Sequence, residues 1–301
     1  MGGGGEPGGG MKSMSRIETL ASGYGLIEGP VWDDARGPLF ADVVYGGVHA
    51  LAPGGEVTTV FPHRRGIGGM APHAAGGLVV GGRNIGFKAF AGGTTQTLLE
   101  PDKDRGLIGF NDLSTDAEGR VYVGSLAFRP VGHEEEPRPA HLHLIDLDGS
   151  ARVLADGILL TNGIGVSPDG KWLYHADSRT QALWRYPKHG DGSLGERERF
   201  VEIAPPGIPD GIAVAEDGSV WIAVAYGKAV MRVSAAGELL ERIEMPLPMV
   251  TSVCFGGADR RQLYVVSGSR GTSSERAGSV WRFRVDVPGL PIAPARVRLP
   301  D

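Results

Sequence analysis

Cysteine is nearly missing: Cys254 is the single one in 301 residues. That excludes an intrachain disulfide framework and any zinc or iron–sulfur site built on cysteines. Long apolar runs are missing too. Stretches such as Val220–Ala225 are too short to span a bilayer. Positive charge is not in excess. Lys plus Arg number 30 against 35 Asp plus Glu, for a net charge of −5, which gives no electrostatic footprint for a nucleic-acid partner. Room for long helices is scarce, because 49 glycines and 21 prolines punctuate the chain. The glycines fall between apolar runs, so they read as turns rather than as disorder. Residues 1–10 carry neither a basic n-region nor an apolar h-region. Residues 1–15 are therefore expected to form a flexible Gly-rich tail and residues 16–301 a single domain, with the cytoplasm as the expected compartment.

What the chain does have is a repeat. A residue opens a short apolar strand, a Gly or Asp turn follows about eight positions later, and a second apolar strand comes after it. Examples are Glu28-Gly29-Pro30-Val31-Trp32 leading through Gly37 to Pro38-Leu39-Phe40, and Asp210-Gly211-Ile212 leading through Gly218 to Val220-Trp221-Ile222. The turn glycines at 37, 77, 119, 170 and 218 are 40, 42, 51 and 48 residues apart. A sixth copy, Ser252-Val253-Cys254-Phe255, turns through Asp259-Arg260-Arg261. Third strands such as Leu183-Trp184-Arg185-Tyr186 and fourth strands such as Glu56-Val57-Thr58-Thr59-Val60 complete the unit. Six repeats of four antiparallel strands predict an all-β, six-bladed β-propeller. Either residues 16–20 or residues 296–299 complete a blade and close the ring.

The innermost strand of each blade faces the central channel, so its opening residue belongs to a ring at one mouth. Around the repeats that ring reads Glu28, Gly69, Asn111, Asn162, Asp210 and Ser252. One Asn or Asp at a strand start commonly hydrogen-bonds loop backbone. Four polar donors in equivalent positions on four blades point instead to a bound divalent cation. Two carboxylates offset its charge, and two amide oxygens add ligands. The donors are all hard oxygens, which favours Ca²⁺, with Mg²⁺ or Mn²⁺ next and Zn²⁺ a weaker match.

Several stretches together resemble the family of gluconolactonase, regucalcin and luciferin-regenerating enzyme. They are Ile27-Glu28-Gly29-Pro30-Val31-Trp32, Phe110-Asn111-Asp112, Thr161-Asn162-Gly163-Ile164 with Ser167-Pro168-Asp169-Gly170-Lys171, and Pro209-Asp210-Gly211. The resemblance spans roughly residues 18–285. It implies a six-bladed propeller with one metal at the channel mouth, and Glu28, Asn162 and Asp210 as direct ligands. It implies that Asn111 is a further ligand, direct or through water, or a substrate contact. It implies lactone hydrolysis, with phosphorus-ester cleavage in related propellers. One departure stands out. Family members that open aldonolactones carry Arg two residues before the Asn, and here that position is Gly109, so that contact to sugar hydroxyls is missing.

Loops on the same side as the ring form the expected pocket wall. Residues 127–140 are the longest, a candidate lid in which Phe128 and Arg129 are the expected substrate contacts; Tyr226 lies on a shorter loop. His143 falls on the same repeat position as His49, Trp184, Met231 and Trp281, so it is expected to pack within a blade; His73 and His133 stay open. No Gly-x-Ser-x-Gly elbow is present. The expected chemistry is metal-assisted hydrolysis of a small-molecule lactone or ester, with Asp210 as general base or nucleophile. A phosphotriesterase at the same cation and a non-catalytic binding propeller with a structural cation are the alternatives. The expected assembly is a monomer or weak homo-oligomer, with neither membrane nor nucleic acid as partner.

Overall fold

A computed structural model describes residues 17–62, 64–130 and 135–300. The expected tail, residues 1–15, lies outside them. Six four-stranded antiparallel sheets follow one another around a central axis. The innermost strands are Ile27–Asp33, Met70–His73, Gly109–Thr115, Thr161–Val166, Ile208–Val214 and Val250–Gly256. They define blades 1 to 6, and in blades 1 to 5 each later strand lies further from the axis. Apart from one short 3₁₀ turn, Ser178–Thr180, the described residues form no helix, and none of them makes a helix long and apolar enough to cross a membrane.

Burial follows the radius. Every residue of the inner strand Val250–Gly256 is buried, while the outer strand Leu239–Glu244 exposes all but Ile243. Apolar clusters sit between neighbouring blades. Val31, Leu39 and Val48 of blade 1 meet Met70, Leu78 and Val80 of blade 2, and Trp221 of blade 5 meets Phe255, Leu263 and Trp281 of blade 6. Ring closure is made by Glu18–Tyr24, which pairs antiparallel with Gly278–Arg284 as the outer strand of blade 6. Residues 296–299 do something else. The C-terminal stretch crosses the face opposite the ring. Leu290 N–H donates to Val214 O, Ala295 N–H to Pro72 O and Arg296 N–H to Gly119 O. Ala295 and Val297 are buried there against blades 2 and 3.

The inter-strand turns use aspartate as a backbone acceptor. Asp33 Oδ1 accepts from Ala35 and Arg36 N–H, Asp169 Oδ1 from Lys171, and Asp259 Oδ1 from Arg261. In blade 2 the left-handed turn residue is Gly76 rather than Gly77, and in blade 6 Arg260 takes that conformation at φ 50°.

Candidate active site

Bulges in the inner strands present the ring residues to the channel. In blade 3, Phe110 pairs with Ser125 and Leu113 with Val123, so Asn111 and Asp112 together face one partner residue. In blade 4 the bulged pair is Asn162-Gly163, between the Thr161–Asp177 and Ile164–His175 pairs. In blade 5 it is Asp210-Gly211, between Pro209–Val224 and Ile212–Ile222. Such a bulge re-aims a side chain without ending the strand. Asn111, Asn162 and Asp210 thus hold one register position. Glu28 does not share it. It pairs with Ala41, and the bulged pair of blade 1 is Gly29-Pro30, so Glu28 stands one residue earlier. Gly29 turns the backbone there through the left-handed region at φ 56°.

Blade 2 contributes space instead of a ligand. A Cβ on Gly68 would lie 2.1 Å from Asn111 Oδ1, and one on Gly69 would lie 2.3 Å from Asp112 Oδ1. The bare backbone of residues 68–69 is what lets blade 3 bring both side chains to the channel. Asn111 is then fixed by its amide. Its Nδ2 donates to Thr161 O and to Asn162 Oδ1, both at 2.7 Å. Asn162 Nδ2 donates to Ser178 Oγ at 2.6 Å, and that hydroxyl donates to Pro209 O at 2.6 Å, beside Asp210. A hydrogen-bonded chain therefore links blades 3, 4 and 5. Ser178 and Asp112 are members of this site that the repeat reading did not select. Asp112 was visible as the second residue of the Asn111-Asp112 pair, but the bulge that exposes both neighbours cannot be read from spacing.

Glu28, Asp112 and Asp210 form an acidic cluster. Burial pushes the Glu28 carboxyl well above the carboxylate range, and repulsion from Asp210 and Asp112 adds to it. Burial and the charge on Asp112 raise Asp210 in the same way, and burial raises Asp112 to about 7. No lysine or arginine is among the groups that shift them. Asp210 Oδ1 is buried with no hydrogen-bond partner. A buried acceptor without a donor is costly, and a cation would satisfy it. Among the described residues no three His, Cys, Asp or Glu side chains gather into a metal centre on their own. A site here must therefore draw on amide oxygens, and the residues fit that requirement: Glu28 and Asp210 as carboxylates, Asn162 as an amide ligand, and Asn111 beside it.

Other expected contacts fall differently. Phe128 is fully buried, with the Arg179 guanidinium 5.6 Å over its ring. It packs beneath Arg179 instead of presenting a face to a substrate, because the start of its loop folds inward. Arg129 is exposed and tied to Glu135, whose Oε2 accepts from the Arg129 N–H at 2.9 Å. Tyr226 is 38% exposed on the channel-mouth side of blade 5, at φ 60°. Residues 131–134 of the candidate lid, His133 included, lie outside the described residues. His143 Nε2 meets Ser125 Oγ at 3.0 Å, its ring is edge-on to Phe110, and burial lowers its pKa to about 4. His73 Nε2 donates to Val297 O at 3.1 Å, on the far face.

With this geometry in place, the chain belongs to the SMP-30/gluconolactonase/LRE-like family, whose model matches residues 26–269. It is 34% identical over 276 residues to a 6-deoxy-6-sulfogluconolactonase from Pseudomonas putida, an alignment covering 88% of this chain and 92% of that one. It is 34% identical over 202 residues to the pentonolactonase XacC of Haloferax volcanii, covering 63% and 67%. Among solved structures it resembles regucalcin from Agrobacterium tumefaciens, described as a calcium-binding protein, at a TM-score of 0.82 and 22% identity, covering 94% and 98%. This last likeness concerns the fold.

Proposed function

We propose that the protein is a divalent-cation-dependent hydrolase that opens the ring ester of a sugar-type lactone. The observation that carries this reading is the cluster of Glu28, Asp112 and Asp210, desolvated at a channel mouth without a basic partner and joined to the Asn111–Asn162 amide pair. Two relatives named for sugar lactones support the substrate class. Calcium is the best match to the all-oxygen donor set.

Glu28, Asp210 and Asn162 would hold the cation, with Asn111 as a further ligand or a substrate contact. When bound, a divalent cation supplies Lewis-acid polarisation of the ester carbonyl. Asn111, fixed through its Nδ2, keeps its Oδ1 to accept from a substrate hydroxyl or to serve as a ligand. Asp210, whose Oδ1 has no protein donor and would be shared with the cation, is the carboxylate suited to take the proton of the attacking water. The water oxygen bonds to the carbonyl carbon, the ring C–O bond breaks, and the ring oxygen takes the proton that Asp210 accepted and leaves as the hydroxyl of a hydroxy acid. The closed face opposite the ring, crossed by the C-terminal segment, leaves the upper mouth as the route for substrate.

The test is hydrolysis of a panel of aldonolactones by purified protein, with and without chelator. Turnover that disappears on chelation and returns with calcium is expected. A protein that leaves every lactone unopened with calcium present would overturn the reading.

A further inference from the structure

The rim above blades 2 and 3 carries guanidinium charge that no carboxylate neutralises. Arg64, in the link from blade 1 to blade 2, is half-buried. Its Nη2 donates to Gly81 O at 3.2 Å and to Asn84 O and Oδ1, both at 3.1 Å. Asn84 is itself buried and pinned, donating to Thr97 Oγ1 at 3.2 Å and Glu100 Oε1 at 3.0 Å. These acceptors of Arg64 are all neutral. Burial lowers the Arg64 pKa, and the one charged group acting with it is a second guanidinium, Arg83. Arg83 is exposed and makes no hydrogen bond or ion pair with any described residue.

The Arg83 backbone adjoins the strand that carries the Asn111-Asp112 bulge. Gly82 and Phe110 exchange two backbone hydrogen bonds, of 3.1 and 2.7 Å, immediately before the Asn111-Asp112 bulge. Gly109, which opens that strand, has no side chain and no room for one. A Cβ there would lie 2.8 Å from Gly82 O and 3.4 Å from Arg83 Cα. Gly109 thus leaves room beside the exposed Arg83. Two adjacent guanidiniums, one fixed and one free, suit a planar or tetrahedral oxyanion, which they can hold by charge-assisted paired hydrogen bonds.

We infer that Arg83, backed by Arg64, forms a subsite for an anionic substituent, a carboxylate, sulfonate or phosphate ester, at the end of the lactone remote from the ring ester. This rests on the lactonase reading above. Arg83 is a specificity residue: it meets the far end of the substrate and leaves the hydrolytic step to the channel.

The experiment compares glucono-1,5-lactone with counterparts bearing a carboxylate, a sulfonate or a phosphate at carbon 6. The wild type is expected to favour at least one anionic lactone in kcat/KM, and the three arms identify which. Arg83→Ala is expected to raise KM for that lactone at least tenfold, with kcat and the neutral lactone changed less than twofold. Arg83→Lys should retain part of the preference, and added salt should shrink it. Because Arg83 is exposed and makes no hydrogen bond or ion pair with any described residue, the melting temperature of both variants should match the wild type. Equal effects of Arg83→Ala on neutral and anionic lactones, or a wild type that prefers the neutral one, would overturn the subsite while leaving the lactonase reading intact. A wild type that opens none of the four would overturn both.

Discussion

Asp112 and Asp116 are four residues apart in blade 3, yet their surroundings are opposite. Asp116, at the closed face, is 1% exposed. Burial alone would push its carboxyl up, but the Arg120 N–H, the Lys188 ammonium at 3.2 Å and the Arg120 guanidinium at 3.2 Å bring it below the usual range. Tyr122 Oη adds a hydrogen bond at 3.3 Å. Asp112, at the channel mouth, is also penalised by burial, but it accepts only from the Leu113 N–H at 2.8 Å, has no cationic partner among the described residues, and rises to about 7. The closed face carries its counter-charges in the chain. Among the described residues the open mouth has none, and that is the physical difference between Asp112, within the inner strand, and Asp116, just past its end.

The largest contrast should come from removing one carboxylate at each end. Asp210→Asn is expected to lower kcat by about a thousandfold, the scale of a lost acid–base group, and to leave the chelated protein at least as stable, since it relieves repulsion. Asp116→Asn should do the reverse. It leaves the Lys188 ammonium, whose side chain is 4% exposed, with only Glu118 at 3.8 Å, at a cost of about 3 kcal/mol in denaturant unfolding, with kcat little changed. Next is Gly68→Ala. Its Cβ would displace Asn111, and a misplacement of that size should lower kcat/KM about tenfold to a hundredfold without loss of fold.

The pH dependence of stability should also separate the two aspartates. Asp112 has a folded pKa of about 7, above the unfolded value of 3.8. Its contribution is fully present below about pH 4 and is lost as pH rises through 7. Asp116 has a depressed folded pKa, so its contribution holds above the unfolded value and is lost as pH falls through the folded one. In chelator, the melting temperature should therefore drop between pH 5 and pH 8, and calcium should restore more of it at pH 8 than at pH 5. A chelated protein with a flat profile would break the comparison at the mouth. The smallest effect is expected from Ser178→Ala. Losing the hydroxyl between Asn162 and Pro209 should cost about 1 kcal/mol, with a few-fold loss in kcat.

The blade count and strand order were legible because each inner strand ends in a turn of recognisable chemistry, Asp33 through Gly37 being one case. Ring closure was not, since residues 16–20 and 296–299 both carry strand-like patterns; only the register of Glu18 with Arg282 settles it. Asn111, Asn162 and Asp210 were legible because they hold one position in the repeat. The same rule put Glu28 in the ring, and its register is one residue earlier, just ahead of the left-handed turn at Gly29. Asp112 and Ser178 escaped for a common reason. One is exposed by a bulge and the other by a single 3₁₀ turn, and neither leaves a period in the sequence. Phe128 misled because an aromatic residue at the start of a long loop reads the same whether it faces a pocket or the core.

Calcium titration by calorimetry tests the central claim most directly, run on the wild type, Asp210→Asn and Asp116→Asn. The account predicts one site in the wild type, its loss in Asp210→Asn and its retention in a folded Asp116→Asn. Near pH 7 binding should also release protons, because the channel carboxylates with raised pKa values must ionise. A wild type that takes up no divalent cation, or an Asp210→Asn protein that binds as the wild type does, would contradict it.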